Sequence, residues 1–107
     1  MSEVKEKHPF SGRYVLCRGY YNGIHTGVLV NYDADNDVAF LKESRRLYRW
    51  KSKFSLSEIA MSGIFGEKIA VEVPDIMIRE VFEIIPCTQE AEKRIREYPA
   101  YVVSEDD

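Results

Sequence analysis

At 107 residues the chain is the size of one domain and can bury a core without disulfide or metal staples. Its 45% apolar and 31% charged residues suit a soluble globular protein, and a net charge of −3 argues against wrapping a long nucleic-acid backbone. No stretch approaches the ~18 apolar residues of a membrane span and no signal-peptide pattern opens the chain, so the expectation is a cytoplasmic protein without membrane contact.

Residues 1–12 combine charge, Pro9 and Gly12 without periodicity and read as a mobile arm pinned by Phe10. His8 lies in this arm, away from any preorganised site. The domain proper is expected over 13–98, followed by an acidic tail over 99–107.

Asn22-Gly23, flanked by β-forming residues, predicts a hairpin with a two-residue type I′ turn. That register sets Val15 against Val30, Cys17 against Val28 and Gly19 against Thr26 on a core face. The opposite face then pairs Tyr14 with Asn31, Leu16 with Leu29, Arg18 with Gly27 and Tyr20 with His25. Asp33 to Asp37 has the composition of a turn but not the spacing of a calcium loop. Val38–Leu41 is a short third strand leading into a basic segment.

Ser55 and Glu58 form a capping box ahead of a helix that Gly63 ends. Ile69, Val71 and Val73 alternate as a half-buried strand broken at Pro74-Asp75, and Ile76–Ile85 reads as one long strand. Thr88 caps a last helix over Gln89–Glu97, with cations in its later turns. Together these elements predict an α+β fold, a small twisted antiparallel sheet of five or six strands, half-closed and barrel-like, with two short helices.

The chemistry concentrates between Lys42 and Lys53. Six of the fifteen basic residues fall there against Glu43 alone, a net +5 that leaves −8 on the remainder. The only tryptophan, Trp50, lies among them. Arginine grips phosphate with a planar fork and an adjacent aromatic ring can stack on a base. Arg45, Arg46, Tyr48 and Trp50 are therefore the expected ligand-binding residues, with Arg18 and His25 as second contributors from the hairpin.

Cys17, Cys87, His25 and His8 lack zinc-ligand spacing, and the hairpin register above separates Cys17 from His25, so neither a metal centre nor a thiol nucleophile is expected. No glycine-rich phosphate loop occurs. A non-enzymatic role without cofactors follows.

The pairing of R-R-L-Y-R-W-K (Arg45–Lys51) with S-L-S-E-I-A (Ser55–Ala60), followed by E-I-I-P-C-T-Q-E-A-E-K-R-I (Glu83–Ile95), resembles a family of short uncharacterised proteins of tailed phages and prophages. The likeness runs from Arg13 to Ile95. It implies a phage accessory protein working in the cytoplasm of a bacterial host, where such proteins often block host functions, including nucleotide-based defence. With the basic segment, the expectation is a protein that binds and sequesters a small anionic, nucleotide-derived ligand. The alternatives are an inhibitor that docks on a host protein and a nucleic-acid-binding module. A homo-oligomer is also expected, because the two mixed faces of the basic strand can serve a ligand and a neighbouring subunit.

Overall fold

In the computed structural model, residues 8–20, 23–49, 55–63 and 68–100 are described, apart from the side chains of Tyr48, Arg49 and Lys68. The elements run β1 (Tyr14–Gly19), β2 (Gly23–Asp33), β3 (Val38–Arg49), α1 (Leu56–Ser62), β4 (Lys68–Ile69), β5 (Val73–Ile78), β6 (Val81–Pro86) and α2 (Gln89–Glu97). All pairings are antiparallel, in the order β4-β3-β2-β1-β6, with β5 also on β3. The result is an α+β domain whose sheet does not close into a barrel.

Both helices form where their caps lie. Ser55 Oγ accepts from the Glu58 N–H at 3.2 Å and Thr88 Oγ1 from the Ala91 N–H at 3.0 Å. Gly63 ends α1 at φ 73°, and a Cβ there would stand 2.8 Å from the Ala91 carbonyl oxygen, so the close crossing of the helices requires glycine.

Long strand β3 organises the sheet. Its first half pairs with β5, its second half with β4, and β2 runs along the other side. The basic segment is thus the continuation of one strand through Arg49, where two separate segments were expected. Between Lys42 and Arg45 an extra residue bulges β3 against β2, with Glu43 at φ 52°. Gly27 faces this bulge, where a Cβ would meet the Lys42 carbonyl oxygen at 3.0 Å.

Two expectations about the later strands are corrected. Glu80, at φ 55°, breaks Ile76–Ile85 into β5 and β6. Pro74-Asp75 does not end a strand; it lies inside β5, which is tolerated because among the described residues β5 has a ladder on one side only. Residues 79 and 80 carry the chain from the β3 edge to the β1 edge, so the sheet curls until these edges converge. The Val81 N–H donates to the Asp37 carbonyl and the Tyr20 N–H to that of Glu80, each at 3.0 Å.

The curl gives the sheet two buried faces. Its concave side holds Val15, Cys17, Leu29, Ala39, Leu41, Ile78 and Val81. The convex side packs Tyr14, Leu16, Ile24, Leu47 and Ile69 under Ile59, Ala60, Ala91 and Ile95 of the helices.

The expected hairpin forms between β1 and β2, but its register is corrected. The ladder sets Gly19 opposite Gly23, Cys17 opposite His25, Leu16 opposite Thr26 and Tyr14 opposite Val28. Every predicted pair is displaced, and the displacement is by an odd number of residues, which changes which side chains share a face. Tyr14, Leu16 and His25, expected on an outer face, are all buried. In-out alternation assumes one wet face, and over the hairpin this sheet is covered on both. The turn residues Tyr21 and Asn22 lie outside the described residues. The expected arm, in its described part, is docked: the Gly12 N–H donates to the Leu29 carbonyl, and His8 meets the rings of Phe10 and Tyr32 edge-on.

Candidate functional site

The expected ligand-binding residues are distributed by strand parity. Arg45 and Arg46 are neighbours on β3 and point to opposite faces. On the convex side Arg45 is only 4% exposed. Its Nε donates to the Ala70 carbonyl at 2.8 Å, and its Nη1 donates to the Ile95 and Tyr98 carbonyls at 2.7 Å each. The last carbonyls of a helix have no partner within it and carry the negative end of its dipole. Arg45 thus caps the C-terminus of α2 from the sheet. Burial pulls its pKa below the usual arginine range, while the neighbouring Tyr14 and Glu72 act to raise it.

Beside it, Arg96 of α2 lies over the Tyr14 ring at 4.8 Å and pairs with Glu43 at 2.9 Å and Glu92 at 2.8 Å. Burial acts to lower its pKa, but the hydrogen bonds to Glu43 and Glu92 outweigh that and hold it above its ordinary value. This is a second cation fixed to the architecture.

Arg46 belongs to the concave face, where Ile84, Cys17, His25 and Arg46 form one cross-strand row from β6 to β3. His25 is 4% exposed, whereas Arg46 is exposed. The Arg46 guanidinium lies across Gly23, close enough that a Cβ at Gly23 would stand 3.4 Å from its Nη2. The row also corrects the separation of Cys17 from His25, since the two are direct cross-strand partners. Burial pushes the Cys17 thiol up to about 12, so it carries no thiolate at neutral pH despite that neighbour.

Arg18 lies apart from His25. It pairs with Ile24, on the convex side, and its guanidinium sits 5.0 Å from the Phe82 ring centre and 3.9 Å from Glu83. Tyr20 meets the same phenylalanine edge-on. The structure therefore joins Arg46 with His25, separates Arg18 and Arg45 from that pair, and leaves the side chains of Tyr48 and Trp50 outside the described residues.

A cleft of about 430 Å³, unexpected from the sequence, lies between the His8–Phe10 segment and β6, floored by Tyr32 and Asp37. The Tyr32 hydroxyl donates to Asp37 Oδ1 at 2.7 Å, and this bond, with some burial, raises the phenol to about 12. Only a docked segment 8–12 creates the cleft; Phe10 was expected to pin this segment, but nothing local in the sequence places it beside β6. Among the described residues no three His, Cys, Asp or Glu side chains are grouped to hold a metal ion, and no helix of the described residues is long and apolar enough to cross a membrane.

These features define a small open-sheet α+β domain with a curled sheet, two capping helices and a cationic side chain at the rim of the concave face. The chain belongs to the family described as a domain of unknown function (DUF6948), whose model matches residues 12–95. No curated protein and no solved structure matches it.

Proposed function

We propose that this domain is a non-enzymatic module that binds a small anionic, nucleotide-derived ligand at the Arg46 end of the concave face. One observation carries the reading: of the two adjacent arginines, Arg45 is consumed by α2, while Arg46 stays exposed across the side-chain-free backbone of Gly23. A guanidinium with room beside it is suited to bidentate phosphate contact. His25 supplies the floor behind it, and the basic run through Lys53 supplies attraction in an otherwise acidic chain. Tyr48 and Trp50 enter as stacking partners on the strength of the sequence alone.

The setting proposed for this activity is the cytoplasm of a phage-infected bacterium, where sequestering a nucleotide signal would blunt host defence. Its support is the resemblance of the Arg45–Ala60 and Glu83–Ile95 motifs to phage and prophage proteins.

The test is a thermal-shift and calorimetric screen against cyclic dinucleotides, ADP-ribose-type signals and short oligonucleotides. A ligand is expected to raise the wild-type melting temperature. Arg46→Ala should leave the free protein unchanged and weaken binding about ten- to a hundredfold, the weight of one charge-assisted contact. Binding by Arg46→Ala at wild-type strength, or no response of the wild type to any anion, overturns the reading.

A further inference from the structure

Among the described residues, the convex side of the sheet is covered along only part of its length. Helices α1 and α2 shield Tyr14, Leu16, Ile24, Leu47 and Ile69. Beyond them the bulge at Glu43 keeps Phe40 and Lys42 on the same side as Arg45. Phe40 faces Met77 across the β3–β5 ladder, and both are exposed, at 40% and 54%. Val30 adds a third exposed apolar side chain, and the three border a groove of about 460 Å³. Clustered exposed apolar groups on a small domain mark a contact surface.

The neighbouring cross-strand pair on this surface is Lys42 opposite Asp75. Both are exposed, and among the described residues neither makes an ion pair. The patch is thus arranged as two rows: Phe40 then Lys42 on β3, Met77 then Asp75 on β5. A two-fold axis lying in the interface and running along the strands, between β3 and β5, exchanges the two rows. It sets Phe40 of one copy on Met77 of the other and Lys42 of one copy on Asp75 of the other, twice each. Such self-complementarity is what an isologous contact requires, and face-to-face packing of aligned sheets is an established geometry. The edge of β5 left unpaired among the described residues is a poorer route to association, because Pro74 lacks a donor and Asp75 puts a charge there.

We infer that the uncovered convex half-sheet is the interface of a two-fold dimer of this chain, with the Phe40–Met77 contacts as its apolar centre and reciprocal Lys42–Asp75 ion pairs fixing its register. The dimer leaves Arg46, at the rim of the concave face, exposed.

Analytical ultracentrifugation of the full chain and of Lys42→Asp, Asp75→Lys and the double swap tests it. The wild type and the double swap should be dimers at micromolar concentration, and each single swap should be a monomer, because both of its reciprocal contacts become like-charged. Mixing the two single swaps should give a heterodimer, since one then presents two acids and the other two lysines. That rescue cannot come from repair of folding within one chain, and circular dichroism of each variant reports folding separately. A monomeric wild type, single swaps that stay dimeric, or a mixture that stays monomeric overturns the assignment. So does a wild type that is monomeric alone and buries Phe40 only against a different protein or an added apolar ligand.

Discussion

Arg45 Nη1 lies 2.7 Å from the carbonyl oxygen of Ile95, a residue fifty positions further along the chain. This contact joins the central strand to the end of the last helix and decides what the densest basic segment does. Loss of the guanidinium would take its donors from the carbonyls of Ala70, Ile95 and Tyr98, of which the Ile95 contact is buried and the other two are partly buried. Arg45→Ala should therefore cost about 3 kcal/mol or more of folding stability. Arg46→Ala, adjacent in sequence but on the opposite face of β3 and exposed, should stay within about 0.5 kcal/mol. Urea unfolding of both variants in ligand-free protein measures the contrast.

Composition located the cations but could not sort them. Whether an arginine is a ligand contact or a cap depends on strand parity and on what the opposite face meets. Here the bulge at Glu43 and the arrival of α2 set both, and both are long-range. The helices were legible because caps are local: Ser55, Gly63 and Thr88 each satisfy backbone groups within a few residues. The α+β class followed from the same kind of evidence. The hairpin register was not legible, since Asn22-Gly23 invites a two-residue turn whereas the ladder begins only at Gly19 and Gly23. With both sheet faces covered, alternation offered no check on that error.

The corrected register changes what substitutions in the hairpin should do. Cys17 and His25 are opposite one another and almost wholly buried. Cys17→Asp and His25→Asp should each place an acid in the concave interior and cost about 3 kcal/mol or more. A mild effect at His25 with a severe one at Cys17 would instead match a hairpin whose faces are divided into core and solvent. Denaturant midpoints of the two variants distinguish the cases.

Gly63 should be intolerant of any side chain. Its left-handed backbone disfavours an L-residue by about 1 kcal/mol, and a Cβ would press on both the carbonyl oxygen and the Cα of Ala91. Backbone cannot swing aside as a flexible side chain does, so Gly63→Ala should cost about 2 kcal/mol or more. Loss of contact between α1 and α2 would appear as faster amide exchange in both helices. Exchange confined to α1 would show that the crossing adapts.

The two thiols set an alkaline limit on stability. Burial raises Cys17 and Cys87 from an ordinary 9.0 to about 12 each, and burial likewise raises Tyr14 from 10.0 to about 12 against a hydrogen bond to Thr26. In the unfolded chain these groups lose their protons at the lower values, while the folded chain still holds them. Between about pH 9 and pH 12 the unfolded state therefore binds fewer protons, and stability falls as pH rises. Below pH 9 both states are protonated and the contribution is flat. Chemical unfolding at pH 7.5, 9 and 10.5 should show a loss confined to the upper interval, shallower in Cys17→Ala than in the wild type once each is referred to its own value at pH 7.5. In the same samples a thiol reagent should label native Cys17 and Cys87 far more slowly than unfolded protein at pH 8. Rapid labelling of the native protein, or equal alkaline slopes for Cys17→Ala and wild type, would place the Cys17 thiol in water and remove it from the concave core.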